Sequence, residues 1–189
     1  MSSPHFPTRI LLICAALAAV HALLHLATVP LLTALAPLSP PLYGLLAGVH
    51  SLVPFLARRV TATLGTATIT AGIASVFVSA TSPSGLLVAI PLMIAGVTID
   101  AVVGRSDRAG PSRRSEIRYM LAAVVAGTLL FAVSLSVFSP EHLTPLLITS
   151  TLATRLVGEL TAATVSMLLA RALRRAGIGG LRRPPDAPQ

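Results

Sequence analysis

The chain has 189 residues, 54% of them hydrophobic and 11% charged, with a formal net charge of +8. A chain this apolar is a membrane protein and not a soluble domain. All 14 basic residues are arginine, which excludes a G-x-x-x-x-G-K-[ST] phosphate loop, a Schiff-base lysine and a Ser-Lys dyad. Any ATP used with this chain is therefore bound by another subunit. The arginines lie in short clusters between apolar runs and not along one soluble face, so the charge does not describe a nucleic-acid surface. Cys14 is the single cysteine and cannot form a disulfide within the chain. Arginine without lysine, with abundant Ala and Pro, suggests a GC-rich bacterial genome.

Crossing a hydrocarbon core of about 30 Å takes roughly 20 apolar residues, and six segments approach that length. The first, residues 10–29, follows Arg9 and is too long for a signal-peptide core, so it reads as a span. After it, "PLLTALAPLSPP" holds four prolines and reads as an outer, partly irregular loop folding back towards the membrane surface. The second span, residues 42–57, is short. The others are residues 60–80, 85–103, 119–138 and 146–170.

Arginine distribution tests this layout, because cytoplasmic loops carry an excess of Arg and Lys. With the amino terminus inside, Arg9, the pair Arg58 and Arg59, the loop from Arg105 to Arg118 and the tail from Arg171 onward all fall on the inside. The three outer loops, "PLLTALAPLSPP", "TSPSG" and "SPEHLTP", hold no arginine. The expectation is an all-α polytopic membrane protein with six transmembrane helices and both termini cytoplasmic. Residues 1–175 form one six-helix domain, and the Gly- and Pro-rich residues 176–189 form a disordered cytoplasmic tail. No internal repeat points to an inverted-repeat carrier.

Arg155 is the one arginine that breaks the inside rule. At about 1.5 Å per residue it lies over 20 Å from the boundary at Arg171, and Glu159 about 17 Å from it, both in the membrane interior. A lone charge there costs roughly 2.5–3.5 kcal/mol on insertion scales, so it faces a partner or a cavity. At i and i+4 the two side chains share a helix face. They either neutralise each other or line a pocket for a polar solute, the arginine suiting a carboxylate or phosphate and the glutamate an amine.

His21 and His25 are also i and i+4, His50 lies within the second span, and Glu141 and His142 lie in the third outer loop. No ligand set is complete within a span, so no metal site is assigned, although intramembrane histidines leave a metal- or haem-binding redox subunit as the alternative function. Asp100 reads as an interfacial partner of Arg105 or a neighbour. The threonines of "VTATLGTATITAG" and the Gly44-x-x-x-Gly48 motif read as packing devices. In "CAALAAVHA", Ala15 and Ala19, with Ala18 and Ala22, make small-residue pairs that let another helix approach closely.

The alanine face, the length, six helices, cytoplasmic ends and the lack of an ATP site together resemble the substrate-binding S components of energy-coupling-factor (ECF) transporters. The resemblance implies a non-catalytic, multi-pass subunit of the bacterial plasma membrane that binds a vitamin or related micronutrient near the outer face. It would dock through Ala15, Ala18, Ala19 and Ala22 on a transmembrane coupling subunit carrying two ATPases, and topple to release solute inside. No cofactor is then expected in this chain, and ATP enters only through those partners. Arg155, Glu159, His21, His25, Tyr43, Glu141 and His142 become the pocket candidates. The chain departs from the pattern in having no Trp and 4% aromatic residues, which favours a small, polar solute over a large planar one. The amino-terminal histidine of metal-type members is not at position 2; His5 is the nearest.

Overall fold

A computed structural model describes residues 7–82, 85–104, 112–136, 138 and 144–177. Among them there is no strand, and the helices are α1 (Thr8–Leu38), α2 (Pro40–Ala47), α3 (Leu52–Thr61), α4 (Thr66–Thr81), α5 (Ala89–Val103), α6 (Arg113–Ser134) and α7 (Pro145–Arg175). A 3-10 turn, Gly48–Ser51, joins α2 to α3, so that Pro40–Thr61 forms one 22-residue apolar crossing. Among the described residues, five such segments are long and apolar enough to span a membrane, and α4 is a shorter apolar helix of 16 residues. The chain is thus an all-α, multi-pass membrane fold.

Two of the expected boundaries are corrected. The proline-rich stretch after residue 29 is not a loop: α1 runs 31 residues through Pro30 and Pro37. In hydrocarbon, a helix missing one backbone bond at a proline is still cheaper than an irregular segment exposing many unpaired groups. The third crossing starts at Thr66 and not at residue 60, because Val60 and Thr61 complete α3. The chain then turns through Ala62 at φ 49° and Gly65 at φ 93°, a left-handed conformation that glycine adopts freely.

The helices pack as a ring in the order α1, α4, α5, α6, α7, α2, with α3 touching α1, α4, α5 and α7. Every residue of α3 from Val53 to Thr61 is buried. This helix fills the axis of one half of the bundle. Pro54 explains where it begins: it cannot donate to the carbonyl of residue 50 and would crowd it, so the chain tightens into the 3-10 turn just before α3. Glycines fix that turn against α7, since a Cβ on Gly48 would lie 2.5 Å from the Gly158 carbonyl carbon. Gly44 meets Thr151 of the same helix, so the Gly44-x-x-x-Gly48 motif packs within the chain.

One end of the bundle gathers the arginines. Ile13 and Leu17 of α1 pack with Leu56, Val60, Ala170 and Leu173, which places the start of α1 beside the ends of α3 and α7. Arg58 and Arg59 lie there, but not in a loop as expected: they occupy the last turn of α3 and are 0% and 2% exposed. Arg58 forms an ion pair with Asp100 (Nε to Oδ1, 3.3 Å) and donates to the Gly104 carbonyl. Asp100 also accepts from the Thr68 backbone N–H (2.8 Å) and hydroxyl (2.7 Å), capping α4 across the helix boundary. Arg59 donates to Ser115 Oγ (2.6 Å) and sits 4.9 Å from the centre of the Tyr119 ring. The pair Arg171–Glu116 is largely exposed and contributes little, about 0–1 kcal/mol.

Candidate functional site: a chamber above the axial helix

Where α3 stops filling the axis, a cavity of about 500 Å³ begins. Its floor is the 3-10 turn, through His50 and Ser51, together with His25 of α1 and Arg155 of α7. Its walls are apolar and come from four helices: Val29, Leu32 and Ala36 of α1, Ala47 of α2, Leu92 and Ala95 of α5, and Leu130 of α6. Tyr43 within α2, Ser82 just after α4, Val88 just before α5 and Phe138 beyond α6 line it on the side away from the arginine-rich end. Tyr43 and Phe138 meet edge to face, ring centres 5.9 Å apart. A volume of 300–1,000 Å³ with apolar walls and a few convergent polar groups is the usual form of a small-molecule site.

Arg155 lies ten residues into α7, about 15 Å from that end at 1.5 Å per residue. Its Nη2 is 3.0 Å from Glu159 Oε1, so the i, i+4 pair forms as the sequence suggests. The two members differ in position. Arg155 lines the chamber, whereas Glu159 is 0% exposed and sits behind it, with the same Oε1 accepting from the Ser51 hydroxyl at 2.9 Å. One carboxylate oxygen thereby holds both Arg155 and Ser51 at the chamber floor.

The three histidines cluster. His50 lies between His21 and His25, with ring centres 5.6 and 5.1 Å away. His21, 1% exposed, is outside the chamber and neither ring nitrogen has a hydrogen-bond partner among the described residues. His50 Nε2 is 3.3 Å from Thr28 Oγ1, whose own proton goes to the Leu24 carbonyl at 2.8 Å. Among the described residues no group of His, Cys, Asp and Glu is arranged to hold a metal ion.

Of the expected pocket residues, the chamber brings together Arg155, His25 and Tyr43; Glu159 and His21 stand one layer back. Glu141 and His142 lie outside the described residues. Of the alanines, Ala15 and Ala19 are exposed and Ala22 half-buried, but Ala18 faces inward at 0% exposure beside Cys14 and His21. Ala18 is therefore corrected from a docking residue to a core residue, because a position three from Ala15 turns toward the bundle. Sequence reasoning missed Ser51 and the apolar walls. Ser51 is 108 positions from Glu159, and no local pattern marks it.

Fold and chamber together define a multi-pass helical membrane protein with a solute-sized cavity at one end. No protein-family model matches the sequence, and no curated protein matches it. Among solved structures, the chain is similar to one described as the crystal structure of an S-component of an ECF transporter. That match has a TM-score of 0.79 and 22% identity, covering 92% of this chain and 88% of the other. The chain has the fold of that S-component.

Proposed function

We propose that the chain is the membrane-embedded, solute-binding subunit of an ECF-type uptake transporter in a bacterial plasma membrane. It spans the bilayer six times with both termini inside, performs no catalysis and carries no cofactor. It takes up a micronutrient, a vitamin or a vitamin precursor, and docks on a transmembrane coupling subunit bearing two ATPases. The observation that carries the reading is the chamber of about 500 Å³, set in this fold, with Arg155 at its floor and its far end at the arginine-free side of the bundle. By the positive-inside rule that side faces outward.

The packing supports a need for partners. With α3 and its two buried arginines filling the arginine-rich half, a bound solute has no straight path inward, and release requires a rearrangement driven from outside the chain. The exposed Ala15 and Ala19 with half-buried Ala22 form the docking face. Ala19→Leu tests this: co-purification with the coupling subunit and ATPase pair, and ATP-dependent uptake, fall steeply, while solute retained by the purified chain is unchanged. If uptake persists, or if retention falls alone, the docking face is misassigned.

A further inference from the structure

The polar groups of the chamber floor constrain the solute more closely than its class. Among the described residues, the charge facing the cavity has one sign. Arg155 lines it, no carboxylate among the described residues does, and Glu159 is buried behind Arg155 and Ser51. Arg155 Nε is buried without a hydrogen-bond partner among the described residues, as are His25 Nε2 and His50 Nδ1. The Ser51 proton is committed to Glu159, so Ser51 can only accept from a solute. With the Thr28 proton on the Leu24 carbonyl, its nearest acceptor, the 3.3 Å contact with His50 takes the tautomer in which Nε2–H donates. In the neutral ring this leaves Nδ1 an acceptor.

Resting on the reading of the chamber as a solute site, we propose that its solute is a compact monocarboxylate carrying at least one further O–H or N–H donor. The carboxylate meets the Arg155 guanidinium, and the donor is received by His50 Nδ1. The apolar body lies between Leu32 and Leu92 and points to Tyr43 and Phe138. A cationic solute would meet Arg155 as a like charge. With Arg155 already paired with Glu159, a phosphate dianion would leave two negative charges uncompensated in an apolar chamber, against one for a monocarboxylate. Glu159 is a positioning residue: it holds Nη2 of Arg155 and leaves Nε free for the solute.

The test exposes the purified chain in lipid nanodiscs to a filtered small-molecule extract of bacterial cells, washes it and releases what is retained. The retained compound is treated with a carboxyl-specific methylating reagent and weighed in light and heavy water. The expected compound takes one methyl ester and shows at least one exchangeable hydrogen beyond the acid proton. The neutralised variant Arg155→Gln/Glu159→Gln retains about tenfold to a hundredfold less of it, the loss of a charge-assisted contact. A retained amine, phosphate or neutral compound overturns the proposal and leaves the solute-binding reading standing. An ester without a further exchangeable hydrogen overturns the role of His50. Retention of nothing by the unmodified chain overturns both readings.

Discussion

Asp100→Ala is expected to destabilise the protein by about 3–5 kcal/mol, the cost of leaving a buried charge without its partner. The reason lies in α3, where Arg58 is 0% exposed and pairs with Asp100 from α5. The same carboxylate caps α4 through Thr68, so its removal frees a backbone donor and a hydroxyl as well. Asp100→Asn can still accept from Thr68 and should lose less. The double variant Arg58→Met/Asp100→Leu removes both charges and should recover most of the difference, since replacing a buried pair with apolar groups is often neutral. Thermal unfolding in detergent, read as the loss of monodisperse protein, measures all three. An Asp100→Ala midpoint equal to that of the unmodified chain would contradict the role given to this pair.

Gly48→Ala is the second large effect. Its Cβ would lie 2.5 Å from the Gly158 carbonyl carbon and 2.8 Å from Gly158 Cα, backbone atoms that cannot rotate away. Overpacking ordinarily costs 1–3 kcal/mol, and a collision between two backbones belongs at or above about 3 kcal/mol. The chamber suffers with the fold, because pushing the 3-10 turn off α7 displaces His50 and Ser51 from the floor. Gly72→Ala is the internal control: its nearest neighbour would be Met93 Sδ at 3.8 Å, and a helical Gly→Ala change gains up to about 1 kcal/mol. Comparable losses for the two variants, in stability or in retained solute, would remove the close approach of the turn to α7 from the account.

What the sequence made legible was whatever leaves a local periodic mark. Arg155 and Glu159 stand out because two charges at i and i+4 interrupt an apolar run, and they do pair. Five crossings follow from apolar length, and the shorter apolar α4 is the sixth helix. The alternation of arginine-rich and arginine-free ends is borne by the contacts among α1, α3 and α7. The axial helix was not legible. Its arginines have the composition of a cytoplasmic turn, and only packing from the neighbouring helices, α6 included through Ser115 and Tyr119, reveals Arg58 and Arg59 as buried. The end of α1 beyond residue 29 was lost for a different reason: Pro30 and Pro37 signal a break in water but not in a bilayer. That misreading also removed Leu32 and Ala36 from the expected site. The partnership of Ser51 with Glu159 bridges α7 and the 3-10 turn, a juxtaposition set by Gly48 and Gly158 and not by any motif around either residue.

Native mass spectrometry of the purified chain tests the central claim, that the chamber above α3 holds a solute. Leu92 forms part of the chamber wall on α5 and is not among the charged or hydrogen-bonding floor groups, so Leu92→Trp fills the space without altering Arg155, Glu159 or the histidines. After incubation with the small-molecule extract, the unmodified chain is expected to carry one added mass per polypeptide. Leu92→Trp, unfolding at a comparable temperature, is expected to carry none. An equal added mass on both proteins would place the solute elsewhere, and no added mass on the unmodified chain would contradict solute binding itself.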